Sequence, residues 1–216
     1  MLVKRVDAKK EELLDPAGAA WRKSRGSKVV LSPTPLDIQP TEYVRVSWRG
    51  RPYGKVPSMR VSALHNGRDI FFRLVWEDDS ADSKIADTNQ FVDAVAVLFP
   101  IAADAPLIGM GIKGKPVNAW FWRADWEQPK NVAAEGMGTT QRRDDPALAA
   151  KARHTRGQWD VVISRSLNGK RAPKGTATLQ AGTISKIAFA IWQGANQERA
   201  GIKAFSLDWQ ELQIEA

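Results

Sequence analysis

Short runs of bulky apolar residues recur along the chain between turn signals, and most have the two-residue period of strands rather than the 3.6-residue period of helices. Arg60–Leu64 and Ile70–Trp76 are two such runs, joined by His65-Asn66-Gly67-Arg68. Asn-Gly accepts the positive φ of a tight hairpin, so the two runs are predicted to pair as antiparallel strands. Val29–Leu31 predicts a short strand ended by the Pro33 and Pro35 region, and Tyr43–Trp48 alternates bulky and polar residues as a half-buried strand does. Asp93–Phe99 is nearly continuous in apolar residues until Pro100 stops it, the pattern of a strand buried on both faces. Val117–Trp122 alternates, which puts Asn118, Trp120 and Trp122 on one face and Val117, Ala119 and Phe121 on the other. Trp159–Ser164, Ile187–Trp192 and Phe205–Ile214 supply the remaining strands. One helix is predicted, over Pro146–Arg153: Asp144-Asp145 precede it, a proline stands in its first turn and its end is basic. The sum is a mainly β chain, an antiparallel β-sandwich with one or a few short helices. No repeat, low-complexity segment or linker divides it, so one domain spanning residues 1–216 is expected.

Composition narrows the chemistry. Cysteine is absent, which excludes disulfides, thiolate ligands for zinc or iron–sulfur clusters, and covalent haem attachment. The net charge of +8 favours acidic partners, but the basic residues are scattered and no nucleic-acid-binding signature is present, so no nucleic acid is expected as partner. Nine tryptophans against two tyrosines point weakly toward a lined pocket, since most of them are needed for a core. No run of about 18 apolar residues predicts a transmembrane segment. The N-terminal MLVKRVDAKKEELLDP lacks the apolar region of a secretory signal, and Arg142-Arg143 lies too far inside the chain to be a twin-arginine signal. Alone, that pattern reads as cytoplasmic.

Few residues are candidates for chemistry. His65 is expected in a solvent-facing hairpin turn and His154 at a helix end, placements that disfavour a metal or catalytic role for either. The acidic stretch Glu77–Asp87 predicts a solvated loop; Asp78, Asp79 and Asp82 suggest calcium, but the EF-hand spacing with its glycine and terminal glutamate is missing. Gly109-Met110-Gly111-Ile112-Lys113-Gly114 precedes a strand, whereas a dinucleotide-binding loop follows one and opens a helix. Met110, held between two glycines, has two readings: a loop residue folded back on the core, or a thioether presented to a soft metal.

Met110-Gly111-x-x-Gly114-x-Pro116-Val117-Asn118-Ala119-Trp120-x-Trp122, followed by Arg123-Ala124, resembles the haem loop of the γ subunit of ethylbenzene dehydrogenase. Leu64-His65-Asn66-Gly67, Phe91-Val92-Asp93 before the run to Phe99-Pro100, and Leu179-Gln180-Ala181-Gly182 resemble that family too. So do Ser185-Lys186-Ile187-Ala188-Phe189-Ala190-x-Trp192 and Glu198-Arg199-x-Gly201-x-Lys203, so the similarity runs in order along nearly the whole chain. The resemblance implies a β-sandwich holding one haem b, with a methionine and a lysine as axial ligands; these fall on Met110 and Lys203. It also implies a heterotrimer, with a molybdopterin-containing α subunit and an iron–sulfur β subunit. The haem subunit, which does no substrate chemistry, passes electrons to an outside acceptor such as a soluble cytochrome c. In such complexes the γ subunit has no signal of its own and is exported with α, which makes the periplasm the expected compartment.

The ligand pair makes a physical demand. An exposed lysine titrates near 10.4, so its neutral form costs about 4–5 kcal/mol at pH 7. Burial against a porphyrin would lower that cost. Without the resemblance Lys203 reads as a solvated strand-edge lysine, since lysine is mostly exposed, and the resemblance reverses that preference. The haem propionates need cations, with Lys113, Lys115 and Arg123 as nearby choices. The rival reading is a haem-free carbohydrate- or small-ligand-binding sandwich in which Trp120 and Trp122 stack on sugars.

Overall fold

The computed structural model describes residues 1–167 and 173–216. Its first part contains β1 (Leu2–Arg5), α1 (Lys10–Leu14), a 3-10 turn at Ala19–Lys23, β2 (Ser27–Val30), β3 (Ser32–Pro33), α2 (Glu42–Trp48), β4 (Ser58–His65) and β5 (Asp69–Glu77). β6 (Ala94–Pro100), β7 (Gly111–Ile112), β8 (Lys115–Arg123), β9 (Lys130–Ala134) and β10 (Gln141–Arg143) follow. The last are β11 (Ala149–His154), β12 (Gln158–Ser166), β13 (Ile184–Trp192), β14 (Ala204–Phe205) and β15 (Gln210–Ile214).

Hydrogen bonding runs continuously through β10-β9-β8-β6-β13-β15-β1-β4-β5-β12-β11. β1 is the corner: it pairs in parallel with β15 on one side and β4 on the other, while every other ladder is antiparallel. The halves on either side of that corner pack face to face, giving the sandwich. Ile70, Phe72, Leu74 and Trp76 of β5 and Val161 and Ile163 of β12 share one core with Val95, Val97 and Phe99 of β6, Trp120 and Trp122 of β8, and Phe189 and Ile191 of β13. The hairpin at Asn66-Gly67 forms as predicted, with the Asn66 side chain accepting from the backbone N–H groups of Arg68 and Asp69 and Gly67 at φ +84°. No helix among the described residues is long and apolar enough to cross a membrane.

β6 shows why its sequence is apolar at every position. Val95, Val97 and Phe99 face the sandwich core, while Ala96 and Leu98 belong to a second apolar cluster on the outer side of the same sheet. On the opposite sheet the outer face is covered by α1 and the 3-10 turn, through Leu13 and Trp21 packed on Leu64, Phe71 and Val162.

Two predicted elements are wrong. Tyr43–Trp48 is helical, not extended: the Thr41 hydroxyl caps the amide of Val44 at 3.4 Å, and only Trp48 of this segment is buried. A local cap and the lack of a neighbouring strand outweigh the alternation. Conversely, Pro146–Arg153 is not a helix. Asp145 closes a turn, accepting from Ala147 on its side chain and from Leu148 on its carbonyl, and Ala149–His154 then pairs residue for residue with β12. A six-residue ladder outweighs the modest end-charge preference of a short helix. The expected strand over Phe205–Ile214 is split into β14 and β15.

Candidate functional site

The outer face of the β9-β8-β6-β13 sheet carries a cleft of about 650 Å3, within the range of roughly 300–1,000 Å3 usual for cofactor and small-molecule sites. Its floor follows from strand register. Ala190 of β13 pairs with Ala96 of β6, which pairs with Phe121 of β8; one row along, Leu98 of β6 pairs with Ala119 of β8, which pairs with Val132 of β9. Alanines at the centre leave a shallow, flat, apolar floor, bounded by Phe121, Trp192, Leu107 and Phe205.

Met110 and Lys203 both line this cleft. Met110 sits on the loop between β6 and β7 in the left-handed region, at φ +60°, between Gly109 at +86° and Gly111 at +84°. That conformation costs a methionine roughly 1–2 kcal/mol. Neighbours hold it there: the Met110 amide donates to Leu107 at 3.0 Å, its carbonyl accepts from Gly136 at 3.0 Å, and the Gly111 amide donates to Pro106 at 2.9 Å. Gly111 has no alternative, because a Cβ would lie 2.6 Å from the Lys115 carbonyl oxygen. Met110 is half-buried and packs against the outer apolar cluster.

Lys203 arrives from the segment joining β13 to β14. Its carbonyl accepts from the Thr34 amide at 3.0 Å and the Thr34 hydroxyl at 3.2 Å, which ties the segment to the loop after β3. The side chain is only 8% exposed, and none of the ion pairs among the described residues includes it. Its Nζ has a long contact of 3.5 Å to the Ala200 carbonyl and stands 5.4 Å from the centre of the Trp192 ring. Glu198, which also lines the cleft, offers no charge pairing: its oxygens accept from the amides of Lys55 and Gln193 and from Asn196. Burial without a counter-charge pushes the Lys203 amine down to about 8. The solvated-lysine reading is therefore overturned: this amine is buried and loses its proton far more readily than an exposed lysine.

The other candidates separate clearly. Arg123 lines the cleft but is held in a two-pronged pair with Asp125, and Lys115 is paired with Asp104. Lys113 is exposed. Arg142 and Arg199 line the cleft as well; nothing local in the sequence marks Arg142 for it, and Arg199 belongs to the Glu198–Lys203 motif. His65 is not in an exposed turn but ends β4 fully buried, and His154 ends β11 with Nε2 2.7 Å from the Asp78 carbonyl oxygen; neither lines the cleft. Trp120 and Trp122 face the inner core, 1% and 5% exposed, so they cannot stack on a sugar. The alternation in β8 was read correctly, but the cleft lies on the alanine side.

Solved structures with the same fold include a family 9 carbohydrate-binding module from Caldicellulosiruptor kristjanssonii in complex with glucose (TM-score 0.53, 8% identity, covering 100% of this chain and 95% of that one). A carbohydrate-binding protein structure from Bacteroides uniformis is similar at TM-score 0.55 and 9% identity, covering 100% of this chain and 98% of that one. Likeness at that identity concerns the fold alone. In sequence the chain is 36% identical to the chlorate reductase γ subunit of Ideonella dechloratans, over 92% of this chain and 79% of that one. It is 32% identical to a protein of Haloferax mediterranei described as a respiratory nitrate reductase haem subunit, over 91% of this chain and 77% of that one. The dimethylsulfide dehydrogenase γ subunit of Rhodovulum sulfidophilum is 30% identical over 69% of this chain and 57% of that one. The ethylbenzene dehydrogenase family model matches residues 18–148 and 136–204, and with these relatives it places the chain in the ethylbenzene dehydrogenase family.

Proposed function

We propose that the chain binds one haem b in the alanine-floored cleft, with Met110 and Lys203 as its two axial ligands. In this role it is the non-catalytic electron-transfer subunit of a molybdenum-containing oxidoreductase. The observation that carries this reading is Lys203: a buried amine with no counter-charge, in the same apolar cleft as a methionine held in a strained backbone conformation. A buried cationic lysine would be costly, whereas a neutral amine is a good ligand for iron. The relatives' names, a haem subunit and two γ subunits of oxidoreductases, support the same role.

Bound haem supplies a one-electron iron couple. The chain's own residues set its surroundings. The Ala96, Ala119 and Ala190 floor accommodates a flat ring, and Leu107, Phe121 and Phe205 exclude water. A thioether from Met110 favours the reduced iron, whereas the amine of Lys203 favours the oxidised iron. With Met110 and Lys203 both holding the iron, no site would be left open to substrate or oxygen, which would suit electron relay. The guanidinium groups of Arg142 and Arg199, in the cleft lining, are suited to the propionates. In the assembled heterotrimer the chain takes electrons from the iron–sulfur β subunit beside the molybdopterin-containing α subunit. An external acceptor such as a cytochrome c completes the path, in the periplasm.

Absorption spectra of the oxidised and reduced protein, beside Met110→Ala and Lys203→Ala, test the reading. The wild type is expected to be low-spin in both states, and each variant to lose the low-spin signature or the haem itself. Unchanged low-spin spectra in both variants would overturn the ligand assignment. Co-purification with iron–sulfur and molybdenum subunits tests the assembly.

A further inference from the structure

Most of the acidic stretch Glu77–Asp87 is the exposed loop that its composition predicts, but Asp78 departs from it. Asp78 is 3% exposed, and the fold brings Asp93, fully buried at the start of β6, against it. Carboxylate oxygens of Asp78, Asp82 and Asp93 lie within 4.8 Å of one another. Asp79, the third acid suggested by the sequence, is not in this group; Asp93, eleven residues beyond Asp82, takes its place. None of the ion pairs among the described residues includes any of the three.

The hydrogen bonds at the cluster leave particular oxygens free. Asp93 Oδ2 accepts from Trp159 at 2.9 Å and from the Asp82 amide at 2.8 Å, and Oδ1 accepts only from the Gly194 amide at 2.8 Å. Asp82 Oδ2 accepts from the Ser80 hydroxyl at 2.6 Å. Asp78 Oδ1 has long contacts with the Ser80 amide at 3.4 Å and Gln193 at 3.3 Å. Asp78 Oδ2 is buried and makes no well-formed hydrogen bond; the one donor that stands near the Asp78 carboxylate besides these is the indole N–H of Trp76, itself buried and not closed into a bond. A carboxylate offers about four lone-pair sites, so each of the three retains capacity. An orphaned anionic oxygen inside a protein is costly, and two further carboxylates beside it add repulsion.

We infer that Asp78, Asp82 and Asp93 form a binding site for a hard divalent cation, best matched by calcium. All the ligands on offer are oxygens, which excludes soft metals. Calcium tolerates the irregular, carboxylate-rich coordination available here, with waters or carbonyls completing it, whereas magnesium demands a near-octahedral shell and keeps its own waters. Burial, with the neighbouring carboxylates, pushes Asp78 upward and Asp93 to about 6. The cation would act as a clamp on one end of the cleft. Asp93 immediately precedes Ala94, and Phe91, Val92 and Ala94 line the cleft. Gln193 and Gly194, bonded to Asp78 and Asp93, open the segment that ends in Lys203. Gly194 is packed so tightly that a Cβ would lie 2.4 Å from the Phe91 carbonyl oxygen and 2.7 Å from Asp82 Cβ.

The site does not depend on the haem assignment, and its test does not use electron transfer. The full-length protein is stripped with chelator, then titrated with calcium chloride, with magnesium chloride as a parallel arm; bound metal and the thermal midpoint are measured. Expected are one calcium per chain and a midpoint rise of roughly 5–10 °C at a hundredfold excess over the dissociation constant. Magnesium should bind at least about tenfold more weakly. Asp82 is the half-exposed member of the group, so Asp82→Asn should fold and still weaken calcium binding at least about tenfold. Asp78→Asn should do the same. No calcium retained at millimolar concentration, or equal uptake by wild type and Asp82→Asn, overturns the inference. So does a midpoint that rises on acidification toward pH 6 but ignores calcium, which would assign the charge relief to a proton.

Discussion

Gly201 and Gln39 are fitted to one another: the Gln39 side-chain amide donates to the Gly201 carbonyl at 3.1 Å, and a Cβ on Gly201 would lie 1.9 Å from Gln39 Oε1. Gln39 is 2% exposed and also donates to the Pro35 carbonyl at 3.3 Å, so its side chain cannot swing away without losing both bonds. Two residues later stands Lys203. Gly201→Ala is expected to displace that segment and reduce bound haem severalfold with the β-rich circular dichroism retained. Adding Gln39→Ala, which clears the clash, should restore part of the loss, a coupling that a double-mutant cycle reads directly. Equal haem in wild type and Gly201→Ala would show that this contact does not seat the lysine.

Lys203 predicts two linked pH effects. In the haem-free protein its amine titrates near 8 instead of 10.5, so the unfolded chain holds more protons between those values. Stability should therefore rise with pH across that window, and Lys203→Met should remove the rise. Haem coordination needs the neutral amine, so haem affinity should climb by up to about tenfold per pH unit and level off near pH 8. Titration of the haem-free protein with haemin at several pH values checks this; a flat profile would argue against amine ligation.

Ala96 and Ala190 are neighbours across the β6–β13 ladder, and both line the cleft. Both alanines are buried in the outer apolar cluster, so leucine at either position fills the cleft floor and also crowds that cluster. Ala96→Leu and Ala190→Leu are expected to lower haem content by tenfold or more, with the thermal midpoint of the haem-free protein lowered by no more than about 3 kcal/mol of overpacking would give. Haem per chain and a melting curve measure the two effects separately.

Trp120 packs at a tilt against Phe99 and Phe72 inside the sandwich, with ring centres 4.7 Å and 5.8 Å apart. Trp120→Ala should cost about 3–5 kcal/mol of stability, as for other buried aromatic truncations. It should leave glucose or cello-oligosaccharide binding unchanged, because none is expected with this ring buried. Denaturant unfolding and calorimetric titration with the sugars give both answers; a wild-type sugar affinity abolished by this substitution would revive the carbohydrate-binding reading.

How legible the molecule was depended on the range of the forces involved. The hairpin at Asn66-Gly67, the double burial of β6 and the two faces of β8 are written in local periodicity and turn chemistry, so the sequence alone determined them. It also held the family pattern that singles out Met110 and Lys203. Tyr43–Trp48 and Ala149–His154 were misread because a cap in one case and a partner strand in the other outweighed local preference. Only the tertiary structure decided that Lys203 is buried without a counter-charge, since nothing within the sequence around it reveals which side chains come from β13 and the loop after β3. In the same way it decided that Trp120 and Trp122 belong to the core, and that Asp93 joins Asp78 and Asp82. Burial and charge pairing are properties of neighbours distant along the chain, and those neighbours exist only once the two sheets have closed.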